Sequence, residues 1–216
     1  MKKIIFKIIF FILIILLIAF SLILGLGFLK YKNAIQEVNI DNAISEIRSK
    51  DNYTNIENIS KDFLDAIVAV EDHRFYEHKG IDIISIVHST YVNLKRKSLD
   101  YGASTITQQV ARNIYFTQEK SPIRKVAEIF IANRLEKNFS KNEILEIYTN
   151  IIYFGNGYYG IYDASYGYFN KAPKDLNFYE STYLAGLPNA PSIYSESEEL
   201  AEQRRLQVIN ALEHKN

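Results

Sequence analysis

The chain of 216 residues carries 25 Lys and Arg against 25 Asp and Glu, and it has no Cys. Zero net charge excludes strong nonspecific attraction to nucleic acid, and the missing Cys excludes disulfides and thiolate metal sites. The length suits one globular domain with an appendage.

The appendage comes first. Ile8 to Leu29 is a run of 22 residues without a charge. At about 1.5 Å per residue such a helix spans roughly 33 Å, enough for a hydrocarbon core of about 30 Å. Lys2, Lys3 and Lys7 precede the run, and only Lys30 and Lys32 follow it closely, which predicts a cytoplasmic N-terminal side. A signal-peptide core is shorter, about 7–15 residues, and Gly25-Leu26-Gly27-Phe28 is a poor cleavage site. The expectation is a retained single-pass anchor over 1–29, with the remainder outside the cytoplasmic membrane. Residues 30–59 are polar with scattered apolar positions and read as a stalk or lead-in.

From Ser60 the helical period dominates, and a domain over 60–216 is expected. Ser60 suits an N-cap, and Phe63, Ile67 and Val70 form an i, i+4, i+7 stripe that delivers Glu71 at the helix end. Residues 81–97 hold Ile81, Ile83, Ile84, Ile86, Val87, Val92 and Leu94 ahead of Lys95-Arg96-Lys97. That pattern fits either a core helix with a basic end or a helix at a bilayer surface. Ser121-Pro122 starts a helix expected to bury Ile123, Val126, Phe130 and Leu135. Ser140 to Glu143 is a capping box before Ile144, Ile147, Tyr148 and Ile151. Asn177 to Glu180 repeats the pattern before Tyr183, Leu184 and Leu187, and Pro188 closes that helix. No alternating strand pattern is present, so the domain reads as mainly α.

Three blocks can carry chemistry. In the first, Glu71-Asp72 follows the apolar run Ala66-Ile67-Val68-Ala69-Val70. The plain reading is a charged helix end facing water. A carboxylate at a buried edge is partly desolvated, however, which raises its pKa and suits general-base work. His78 is placed to orient it or to bind substrate. The second block is Gly102-Ala103-Ser104-Thr105-Ile106-Thr107-Gln108-Gln109, a loop entering a helix with Ser104 or Thr105 as cap. Its hydroxyls and amides exceed what a cap needs, and a helix N-terminus favours phosphate oxygens. Arg112, one turn beyond Gln108, adds a positive charge. In the third block, Arg124 and Glu128 stand at i, i+4, with Lys125 between them; alone this reads as an exposed ion pair.

These blocks, with Lys141 to Asn150, Tyr153-Phe154-Gly155, Leu184 to Pro188 and Arg204-Arg205, resemble the peptidoglycan glycosyltransferases over about residues 60–212. The chain looks like the monofunctional form, with no transpeptidase domain expected after it. The resemblance implies a mainly α, lysozyme-like, two-lobed domain that polymerises lipid II, with inversion and departure of undecaprenyl diphosphate. It implies Glu71 as catalytic base and Glu128 as a second catalytic glutamate near the diphosphate or a metal. Asp72, Phe75, His78, Gly102, Ser104, Thr105, Gln108, Gln109, Arg112, Asn113, Arg124 and Lys125 follow as substrate-binding positions. A divalent cation, Mg or Mn, is implied at Glu128 or Asp72, with no organic cofactor. Expected partners are lipid II, the growing glycan chain, the bilayer and other cell-wall synthesis proteins, but no nucleic acid.

One strong base beside Arg112, Arg124 and Lys125 suits transfer better than hydrolysis. A sugar leaving group needs an acid to protonate it, whereas a diphosphate needs positive charge. Two positions depart from the family pattern: Arg112 stands where Lys is usual, and His88 where Arg is usual. They keep open a non-catalytic membrane partner of wall synthesis as an alternative, beside a lysozyme-like hydrolase.

Overall fold

The computed structural model describes residues 2–97, 102–117 and 121–214, and among them every regular element is helical. Isolated bridges at Lys79–Ile81 and Tyr153–Tyr159 are the only β pairings in that set. The mainly α expectation holds.

Helix α1 (Lys2–Glu37) is long and apolar enough to cross a membrane, and its side chains from Ile4 to Leu22 are largely exposed. It does not stop where the apolar run stops. It continues for two further turns, and from Gly27 onward it packs along α6 (Pro122–Asn138).

The expected stalk over 30–59 is instead part of the domain. Within it, α2 (Ile40–Arg48) buries Ile40, Ile44 and Ile47 in the main core. Its period was masked in the sequence by charged neighbours, Asp41, Glu46 and Arg48, that occupy only the outer face. Asn150 ties this region down by accepting from Thr54 N at 2.7 Å and donating to Thr54 O at 2.8 Å.

Helix α3 (Lys61–Glu71) buries Phe63, Ile67 and Val68 and packs against α9 (Phe178–Gly186) and α11 (Glu198–Glu213). Ser60 stands at its N-cap, but the hydroxyl bonds Leu176 O rather than the helix. Helix α5 (Ile106–Tyr115) is sandwiched between α6 and α7 (Lys141–Ile151). Alongside them lie α8 (Ile161–Phe169) and the short α10 (Pro191–Glu196).

Helix α4 (Ile83–Arg96) overturns the core-helix reading of 81–97. Of its residues only Ser89 is buried, and Ile83, Ile84, Val87, Tyr91 and Leu94 stand exposed. It is not a core helix.

Helix α6 departs from the expected burial. Ala127, Ile131 and Leu135 face the core, as do Arg124 and Glu128. Ile123, Val126 and Phe130 are half-buried, and the side chains of Val126 and Phe130 meet α1 instead. The helix is apolar on two sides because it has two partners.

The capping boxes at Ser140/Glu143 and Asn177/Glu180 both form. Ser140→Ala removes an acceptor for the Glu143 N–H and is expected to cost about 1 kcal/mol. Chemical denaturation of the two proteins checks this, and an unchanged midpoint would show that the cap contributes nothing.

Candidate active site

The first two motifs are locked together by their own side chains. Helix α3 ends where Asp72 turns extended, at φ −161°. The Asp72 carboxylate takes His78 Nε2 at 2.9 Å and accepts from Ile106 N, in the first turn of α5, at 3.0 Å. Thr105 caps α5 by accepting from Gln108 N. Thr105 Oγ1 and Gln108 Nε2 both donate to Gly80 O, at 2.9 and 3.1 Å. Gly80 sits at φ +73°, and a Cβ there would come within 3.2 Å of Ala132 backbone. Only glycine gives this crossing cheaply.

Asp72, His78, Thr105 and Gln108 therefore act first as a buried clamp. Asp72 and Thr105 show an edge to the cleft, but Phe75 is not a substrate contact. Phe75 is fully buried in the core, and the Lys141 ammonium lies 4.2 Å from its ring centre. As an aromatic in a polar motif it gave no local sign of pointing inward.

Glu71 occupies the place this clamp creates. Its side chain is 11% exposed. Oε2 accepts from Gln109 Nε2 at 2.8 Å, while Oε1 has no hydrogen-bond partner and faces Arg204 at 3.9 Å. The Gln109 amide oxygen is held in turn by the Tyr148 hydroxyl and Arg112 Nη2, each at 3.4 Å. Desolvation raises the Glu71 pKa, and the Gln109 bond with the charges of Arg204 and Arg112 opposes only part of that rise. Arg204, in α11, was noticed in the sequence only as part of a motif. Its distance along the chain from Glu71 hid the contact.

Glu71 stands between two open cavities. One, of about 510 Å³, is lined by Gln109, Arg112, Asn189, Arg204 and Gln207. The other, of about 500 Å³, is lined by Arg74, Asp82, Ser85, His88 and Thr105. Val70, Glu71, Gly102 and Ser104 border both.

The Arg124–Glu128 pair of the third motif is buried, contrary to the exposed-pair reading. Arg124 Nη1 lies 2.8 Å from Glu128 Oε1, and Lys125 Nζ lies 3.4 Å from Oε2. Glu128 is 1% exposed. Lys125 Nζ also donates to Ser104 Oγ at 2.6 Å, which joins α6 to the cleft loop. Burial lowers the Lys125 pKa, with Arg112 and Arg124 adding to the effect and Glu128 opposing it. Among the described residues, Arg112 Nε, Arg124 Nε and Arg204 Nε are buried without partners. Buried donors of this kind are rare unless something else comes to satisfy them.

Asn113 does not join this group. It is exposed and borders a separate cavity with Phe116, Asn150 and Tyr159. At one residue past Arg112 it is turned about 100° around α5.

A profile of the transglycosylase family matches residues 39–213. A relative from Cupriavidus necator named as a transglycosylase is 42% identical over 172 residues, 79% of this chain and 74% of its own. Penicillin-binding protein 1F of Bacillus subtilis is 49% identical over 140 residues, 65% of this chain and 20% of that protein. Penicillin-binding protein 1A of Vibrio cholerae is 45% identical over 159 residues, 73% of this chain and 19% of that protein. The chain thus spans about a fifth of the length of these penicillin-binding proteins. The match begins at α2, which agrees with the burial of that helix in the domain core. With four fifths of its residues inside the family profile, the chain belongs to the transglycosylase family.

Proposed function

We propose that this chain is a peptidoglycan glycosyltransferase that polymerises lipid II by inverting transfer, releasing undecaprenyl diphosphate. The observation that carries this reading is the pairing at the cleft. A buried carboxylate with a raised pKa and a free oxygen, Glu71, adjoins cations whose donors lack partners. Glu71 takes the proton of the incoming sugar 4-hydroxyl as that oxygen attacks the anomeric carbon of the growing chain. Arg112, Arg124, Lys125 and Arg204 supply positive charge to the departing diphosphate, so the leaving group needs no acid. Glu128, bridged by two cations, organises them. A hydrolase would need a second carboxylate free to hand over a proton.

The residues do not fit a divalent cation well. Both Glu128 oxygens face cations of the protein itself. Asp72, His78 and Asp82 bring three ligand atoms within 4.8 Å of one another. Yet Asp72 is bound by His78 and Ile106 N, and Asp82 by Arg74 and Ser85. No step of the mechanism runs through a metal.

In this reading α1 is a single-pass anchor with its N-terminus in the cytoplasm, supported by its long apolar run, and α4 lays its exposed apolar face on the outer leaflet beside Lys95. The partners are then lipid II, the glycan chain and other wall-synthesis proteins. Purified full-length protein with labelled lipid II in detergent, with and without Mg²⁺ or Mn²⁺, tests the reading. Polymer supports it, released reducing ends indicate the hydrolase, and no turnover indicates the non-catalytic partner.

The two family departures give a graded prediction in the same assay. Arg112→Lys keeps the charge and is expected to change turnover by a factor of a few. Arg112→Ala removes a charge-assisted contact of about 1.5–3 kcal/mol, or roughly 10–150-fold. His88→Arg adds a cation at the cavity edge and is expected to be neutral or mildly activating. Equal turnover by Arg112→Ala and wild type would remove Arg112 from the leaving-group site.

A further inference from the structure

Helix α6 has two working faces. One buries Arg124 and Glu128 beside Lys125, whose ammonium bonds Ser104 of the cleft loop, and the other meets the anchor helix. The second contact is close. A Cβ at Gly27 would lie 2.5 Å from Val126 Cβ and 3.1 Å from Ile123 O. One turn on, the Phe130 ring packs between Phe28 and Tyr31, with centroid separations of 5.3 and 5.5 Å. Lys30 places its ammonium 5.6 Å from the Phe116 ring, at the end of α5. Val126 directly follows Lys125, and Phe130 is two residues past Glu128.

A tether needs none of this. A span meant only to hold a domain at a membrane can end in a flexible linker. Here the helix passes without interruption from the apolar span into the domain and lies against the back of the charged cluster. Resting on the function proposed above, we infer that α1 is a positioning element of the leaving-group site. Gly27 sets the distance between α1 and α6, and through it the placement of Arg124, Lys125 and Glu128. The same contact keeps that cluster level with the end of the apolar run, Leu29, where a lipid-borne diphosphate emerges from the bilayer. Gly27 and Phe130 are positioning residues and touch no substrate.

The test compares Gly27→Leu with Gly25→Leu in the full-length chain. Both add the same apolar bulk to the span, but a Cβ at Gly25 meets nothing within 4 Å. Polymerisation of lipid II is read in detergent, where membrane delivery is not at stake. Inorganic pyrophosphate affinity is read by calorimetry, and Tm by circular dichroism. A misplacement of about 1 Å in a reacting site is worth up to ~100-fold. Gly27→Leu is therefore expected to lose about tenfold or more in kcat and to bind pyrophosphate correspondingly more weakly. Gly25→Leu should match wild type in both. Phe130→Ala, which removes bulk, should shift kcat and pyrophosphate affinity in the same direction and decides the matter if Gly27→Leu does not accumulate. A Tm loss with unchanged turnover and affinity per folded molecule would show a merely structural contact and overturn the inference. So would equal kcat and affinity for Gly27→Leu and Gly25→Leu. A wild-type protein inert on lipid II would sink the functional reading instead, and pyrophosphate affinity would still decide this one.

Discussion

Glu71→Gln is expected to reduce polymerisation by about 100-fold or more while leaving the domain folded. The amide keeps the shape and can still meet Gln109, but it cannot take a proton, and general-base catalysis contributes about 10²–10⁴-fold. The wild-type pH profile should carry the same signature. Burial raises the Glu71 pKa, so the basic form is lost on acidification at a higher pH than for an ordinary carboxylate. Stability moves the opposite way. A carboxyl whose folded pKa lies above its unfolded value binds more protons when folded, in the window between the two. Glu71 therefore stabilises the protonated fold at low pH and withdraws that contribution as pH rises through the window. At neutral pH, Glu71→Gln should be no less stable than wild type. Turnover near wild type in a folded Glu71→Gln protein would take the base role away from this residue.

Arg124→Ala and Glu128→Gln form the second large effect. Each breaks a buried pair, and removing one partner of such a pair costs about 3–5 kcal/mol because the other charge is left stranded. Each also removes or disorders positive charge at the leaving group, for an expected roughly 10–150-fold loss in turnover. The two consequences separate experimentally. Arg124→Lys restores charge without the fork geometry and should recover part of both. Loss of Tm with turnover per folded molecule intact would make the pair a structural strut.

Much of the domain was legible because its signals are local. Capping boxes at Ser140 and Asn177, proline at position 122 and the stripe through Phe63 and Ile67 are satisfied by residues three to seven apart. Such contacts form whatever the rest of the chain does. Helix α2 was missed because its apolar face is thin and alternates with charges, so only its burial against α7 reveals it. The hidden ring of Phe75 and the outward turn of Asn113 were missed for the same reason: a motif fixes residue types but not which way each side chain points.

The sequence by itself determined the mainly α class, the apolar span, and the presence of a carboxylate at the end of a buried helix beside an amide-rich loop. Those follow from periodicity and polarity, which are properties of neighbouring residues. Only the tertiary structure decided what surrounds that carboxylate. Arg204 reaches Glu71 from the far end of the chain, and Tyr148 holds Gln109 from α7. Arg124 and Glu128, an ordinary surface pattern in one dimension, become a buried pair in the folded domain. Gly27 meets Val126 of α6 only in the folded chain. The pKa of a base and the strength of an ion pair depend on desolvation, and desolvation is set by packing between segments that the sequence keeps far apart.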